Sequence, residues 1–110
     1  MPMNPETKLQ NEIMVKMSEL GCIPMRRNVG LFYTQNMIPI HIGTEGEPDI
    51  EIICPNGKVL WYEIKTKKGV TRDKQDRFHN ELRKLGHLVF VVRSAEQAVH
   101  IYNTYVGQTT

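Results

Sequence analysis

Apolar residues recur at Leu9, Ile13, Met17 and Leu20, between Pro5 and Gly21. This spacing predicts a first helix from about Pro5 to Leu20, stopped by Gly21, with its apolar stripe packed on a sheet. Beyond Arg26 the pattern becomes extended, is broken at Gly30, and reads as a first strand over Leu31-Phe32-Tyr33-Thr34. The segment from Gln35 to Glu47, holding Pro39, Gly43 and Gly46, is the longest irregular stretch, and long loops in compact domains are often functional. Two strands then flank Pro55-Asn56-Gly57. A second helix is expected from an N-cap at Thr71 to Gly86, with Phe78, Leu82 and Leu85 on its buried face and Gln75 on the same side. Leu88 to Val92 is an unbroken apolar run, as in a strand covered on both faces. Ser94 and Gln97 form a capping box for a last helix that packs through Val99 and Tyr102. The order is helix, three strands, helix, strand, helix: one α/β domain of 110 residues.

The turn between the second and third strands decides where the charged residues fall. Along Val59 to Lys65, side chains alternate, so Glu63 and Lys65 share a face with Trp61. A two-residue Asn56-Gly57 loop would set Glu63 opposite Ile50 and send Asp49 to the other face. A three-residue loop puts Pro55 at the second position of a type I turn and Gly57 at the left-handed bulge position, with Asp49 opposite Glu63. The preferences of Pro and Gly favour the second register. Directly opposed residues have Cβ atoms about 4.5–5.5 Å apart, close enough for two carboxylates to share a divalent cation. Charged residues on a solvent-facing hairpin are common, but that reading would also leave Trp61, Val59 and Ile53 in water. A partly covered acidic pair needs a positive partner.

Fourteen Lys and Arg against twelve Asp and Glu leave a net charge that decides little. Distribution matters more: Lys65, Lys67, Lys68, Arg72, Lys74 and Arg77 directly follow the acidic site, an arrangement suited to a phosphate backbone. Arg26 and Arg27 either meet phosphate or are simply exposed. Cys22 and Cys54 have no zinc spacing and are too few for a disulfide framework, so they read as reduced core thiols. No signal peptide or membrane span is apparent, and an intracellular location is expected. The chain ends, Met1 to Pro5 and Gly107 to Thr110, read as frayed. His41 reads as incidental and His79 as a partly buried packing residue.

Gly46-x-Pro48-Asp49, Glu63-Ile64-Lys65-Thr66 and Gln75, with Asn28-Val29-Gly30 before them and Gly86 through Val92-Arg93-Ser94 after, resemble the virus-type replication-repair nuclease (VRR-NUC) domain of the PD-(D/E)xK nuclease superfamily. The resemblance runs along nearly the whole chain. It implies a restriction-endonuclease-like core, a central mixed four-stranded sheet flanked by helices. It also implies a metal-dependent DNA endonuclease. Asp49 and Glu63 would hold Mg²⁺ or Mn²⁺, with the Ile64 carbonyl as a further ligand. Lys65 would act on the attacking water, and Gln75 would support the site. Related nucleases place a metal-binding Glu on the first helix, which makes Glu12 a candidate; the competing account is a surface Glu12/Lys16 pair worth only about 0.2–0.5 kcal/mol. Arg26, Arg27, Lys67, Lys68, Arg72 and Lys74 are the candidate DNA contacts. Small stand-alone relatives resemble junction-resolving enzymes, so branched or four-way junction DNA, a homodimer and a phage origin acting in a bacterial host are expected. Ile101, Tyr102 and Tyr105 are candidate dimer contacts, against ordinary core packing. The alternatives are a nicking or replication-associated endonuclease, a non-catalytic nucleic-acid-binding module, and a protein-interaction domain.

Overall fold

The computed structural model describes residues 3–27 and 30–107; Asn28 and Val29 of the resemblance and the outermost residues of both ends lie outside the described residues. Helix α1 spans Pro5–Glu19. Asn4 caps it by accepting a 2.8 Å hydrogen bond from the Thr7 amide. Pro5 sits in the first turn, where an amide hydrogen has no helical partner to lose. Ile13 and Met17 are fully buried, and Leu9 and Leu20 pack against the core.

Six strands follow: β1 (Ile23–Arg26), β2 (Gly30–Tyr33), β3 (Pro39–Ile42), β4 (Ile50–Ile53), β5 (Val59–Ile64) and, after α2 (Asp73–Lys84), β6 (Leu88–Val92). Helix α3 (Ala95–Tyr105) closes the described chain. The main sheet is mixed and four-stranded in the order β1-β4-β5-β6. The first three strands are antiparallel, and β5 and β6 run parallel through the α2 crossover. Among the described residues no helix is long and apolar enough to cross a membrane.

Strand parity divides the chemistry of the sheet. Ile50, Ile52, Cys54, Leu60, Tyr62 and Ile64 join Ile13, Met17, Ala98 and Ile101 in one apolar core under α1 and α3. The odd-numbered positions, Asp49, Trp61 and Glu63, face the opposite side, where α2 lies. The Tyr62 hydroxyl, buried in the core, donates 2.8 Å to the Ala98 carbonyl and so avoids an unpaired polar group. Cys22 and Cys54 are both free and buried, and burial raises both thiol pKa values, that of Cys54 to about 12.

Several sequence expectations need correction. The core strand after α1 is Ile23–Arg26, while Leu31 to Tyr33 belongs to β2, which pairs with β3 in a separate two-stranded ribbon. Pro24 made the Ile23 segment a poor strand candidate, yet β1 is an edge strand, where a missing amide hydrogen is tolerated. The supposedly irregular stretch from Gln35 to Glu47 contains β3. Helix α2 is capped at Arg72, not Thr71, whose hydroxyl donates to Asp76 instead. Leu85 is 77% exposed, because the helix ends at Lys84 and Leu85 falls in the cap. At α3, Ser94 caps as expected, but the Gln97 side chain accepts from the Arg93 amide, one residue before the cap. Ile101 is buried and Tyr102 packs on the core, so neither is a free surface contact; Tyr105, 42% exposed, lies against Phe90.

Candidate active site

The hairpin register places the acidic pair. Ile50 opposes Tyr62 and Ile53 opposes Val59, which extends to Asp49 opposite Glu63. The Cys54 amide donates to the Lys58 carbonyl at 2.7 Å and closes a loop of Pro55, Asn56 and Gly57. Gly57 has φ 76°, as its sequence position requires. Asn56 has φ 66° and ψ 18°, which is not the second central position of a type I turn. The loop length and the register stand, and the turn type is corrected. Asn tolerates the left-handed region better than most residues, so the sequence accommodates it.

Glu63 is 1% exposed and lies at the centre of the cluster. Its Oε2 accepts from the Gln75 amide nitrogen at 3.2 Å and lies 3.8 Å from Lys65 Nζ. Its Oε1 faces His79 Nε2 at 3.4 Å, and neither atom has a hydrogen-bond partner. Asp49 Oδ2 accepts a 2.7 Å hydrogen bond from the Ile64 amide. Burial, with the Glu63 carboxyl beside it, pushes the Asp49 pKa up to about 7 despite the Ile64 amide and Lys65. Burial also raises the Glu63 pKa, and it lowers that of His79.

Neighbouring elements hold these groups in place. Gln75, in the first turn of α2, accepts from the Arg72 amide at 2.9 Å while donating to Glu63, so one side chain caps the helix and fixes the carboxylate. Lys65 lies just past β5, its amide tied to the Val92 carbonyl at 3.1 Å. The Arg93 guanidinium donates to the carbonyls of Thr66 and Gly69 at 2.7 and 2.6 Å, pinning the turn that follows Lys65. The Arg27 amide extends the β1–β4 ladder to the Asp49 carbonyl at 2.8 Å.

The first-helix candidate changes. Glu12 is exposed. Glu6 is half-buried, lines a cleft of about 620 Å³ with Lys65 and Gln75, and its charge contributes to the raised Glu63 pKa. Glu6 lies seven residues before the buried Ile13, two helical turns away on the same stripe, whereas Glu12 is about 100° round the helix from it. That phase was available in the sequence. His79 was also placed too modestly: it is 1% exposed and follows Gln75 by one helical turn, the signal that would have put it on Glu63.

The basic residues are spread around the cleft. Lys67 and Lys68 are exposed beside the start of α1. Arg72 and Lys74 line the cleft with Lys65, and Lys74 pairs with Glu45 at 2.9 Å. Arg27 pairs with Glu47 at 2.9 Å, its guanidinium 6.0 Å from the centre of the Trp61 ring, and Arg26 bonds to Asn11 on α1. His41 is exposed on the ribbon.

Among the described residues no three His, Cys, Asp or Glu side chains form a metal cluster. A buried and a half-buried carboxyl with raised pKa values and an unpartnered Glu63 oxygen nevertheless fit a divalent cation whose remaining ligands are backbone, water or phosphate.

A mixed sheet with an acidic pair and a lysine at the end of its central hairpin defines a restriction-endonuclease-like fold. No protein-family model and no curated protein matches the chain. Among solved structures, one described as a VRR_NUC domain superposes with a TM-score of 0.70 at 26% identity, over 91% of this chain and 96% of that chain. Another, described as a VRR_NUC domain protein, gives a TM-score of 0.60 at 17% identity over 97% of this chain and 92% of that chain, a likeness of fold. These likenesses support a VRR-NUC-like, nuclease-family fold for the chain.

Proposed function

We propose that the protein is a Mg²⁺- or Mn²⁺-dependent DNA endonuclease, structure-specific for branched or four-way junction DNA and acting as a homodimer. The observation that carries the reading is the convergence of Asp49, Glu63, Lys65 and Gln75 at one end of the central hairpin. Asp49, Glu63 and the Ile64 carbonyl would hold the cation, with Glu6 at the edge of the site. When bound, the metal supplies charge neutralisation at the phosphate and a more acidic water. Lys65, whose side chain is 13% exposed and whose ammonium lies 3.8 Å from Glu63, orients the attacking water and faces charge developing on the phosphate. Gln75 and His79 keep the Glu63 carboxylate in position, and Lys67, Lys68 and Arg72 attract the phosphate backbone. The surface of so small a domain favours recognition of DNA shape over sequence, and cutting both strands of a junction needs two sites related by a two-fold axis.

Lys65→Ala is expected to abolish cleavage with the fold and DNA binding retained, because the other cations still attract phosphate. Cleavage of four-way junction, splayed-arm and linear duplex DNA by the parent and this variant, with solution mass measured alongside, tests the whole reading. Undiminished cleavage by the variant removes Lys65 from the chemistry. Linear duplex cut by a monomer as well as junctions are cut leaves a general nicking enzyme.

A further inference from the structure

Half of the chain's large exposed apolar residues among those described lie on the β2–β3 ribbon and its turn, from Leu31 to Ile42. They are not equivalent. Register puts Phe32 opposite Ile40 and Gly30 opposite Ile42, so these share one face, while Leu31, Tyr33 and His41 share the other. The Phe32 face turns to the carboxylate site. Phe32, 47% exposed, forms one wall of a cleft of about 380 Å³ that also takes in Arg26, Arg27, Asp49 and Gln75. A Cβ added to Gly30 would come within 3.3 Å of the Phe32 ring, so the ring rests on the bare backbone of Gly30.

One cleft thus offers guanidinium groups, a catalytic carboxyl and an open aromatic face. A nucleotide has the matching parts, an anionic phosphate and a flat apolar base. Base stacking on an aromatic side chain is sequence-tolerant, but a paired base inside a duplex already has both faces covered. Resting on the nuclease reading above, we propose that Phe32 is a specificity-determining residue that stacks on an unpaired nucleobase next to the phosphate held at Asp49. The enzyme then prefers DNA with an unpaired nucleotide at the cutting point, as at a flap or branch, over continuous duplex. Arg27, braced by Glu47 and Trp61, is the fixed wall against which the strand is held.

The test places 2-aminopurine either unpaired at the fork of a splayed-arm DNA or inside a continuous duplex, with Ca²⁺ in place of Mg²⁺ so that DNA binds with a cation present and is not cut. The parent protein should quench the unpaired probe and leave the duplex probe unchanged. Phe32→Ala should lose that quenching and bind the splayed arm about tenfold more weakly or worse, with duplex affinity changed by no more than about twofold. Phe32→Trp should restore it, and Gly30→Val, which displaces the ring without removing it, should resemble Phe32→Ala. Binding of the fork with no quenching by the parent, or equal losses on both DNAs, overturns the stacking role and leaves the nuclease reading intact. A Phe32→Ala protein whose solution mass falls by half shows that the ribbon joins two copies of this chain, and also overturns it. Failure of the parent to bind either DNA overturns both readings.

Discussion

At the scale of the residue, the unusual contact is between Glu63 and His79, two buried groups facing each other with no hydrogen bond between them. The imidazole packed at 3.4 Å restricts where the carboxylate can turn, and neighbours that orient a metal ligand typically affect metal affinity about 10–100-fold. His79→Ala is therefore expected to weaken Mn²⁺ binding, measured by titration calorimetry, within that range, with His79→Gln recovering part of it. Unchanged affinity in His79→Ala would reduce the residue to packing. The mutual placement of Asp49, Glu63 and Lys65 was legible because turn chemistry and strand parity both constrain it, and that of Gln75 because helical spacing ties it to Phe78 and Leu82. His79 and Glu6 were hidden for a different reason. Each depends on carrying the helix phase beyond the residues that mark it, Glu6 two turns before Ile13 and His79 one turn after Gln75.

At the scale of the element, two glycines separate backbone strain from contact. Gly57 has φ 76° and open space around it, whereas Gly46 has φ 95° and its added Cβ would lie 2.5 Å from the Lys74 carbonyl oxygen. Gly57→Ala should cost only the left-handed penalty, about 1–2 kcal/mol, with cleavage retained. Gly46→Ala should cost more and also slow cleavage, because it pushes on the turn of α2 that carries Gln75. Urea melts and cleavage rates of the two variants check this; equal effects on both would mean the first turn of α2 yields without disturbing the site. The helices and three of the four main-sheet strands were readable from periodicity. The ribbon and β1 were not, because strand propensity ranks Leu31-Phe32-Tyr33 above Ile23-Pro24-Met25 while sheet membership is decided by which partner lies alongside.

At the scale of the whole molecule, the site sets a pH dependence. The folded protein holds the Asp49 proton up to about pH 7, well above the ordinary carboxyl range, so proton binding favours the folded state. The stabilisation is complete below the unfolded pKa and is lost as pH rises through about 7. Glu63 is shifted in the same direction, while the lowered pKa of His79 works against both at the acidic end of this range, so the Asp49 share is the part that Asp49→Asn removes. In EDTA the protein should therefore melt at a lower temperature at about pH 8 than at about pH 5, and Asp49→Asn should reduce the difference. A melting temperature that rises over this interval in the parent, with Asp49→Asn unchanged, would contradict the assignment. The ribbon has a separate consequence. Among the described residues its strands pair with each other and with no strand of the main sheet. A part attached in this way can be lengthened, trimmed or exchanged during divergence while the register of Asp49 against Glu63 stays untouched. On the proposed nuclease reading, preference for one DNA shape over another is thereby free to drift independently of bond cleavage, and an engineer can graft ribbons onto an unchanged cutting centre.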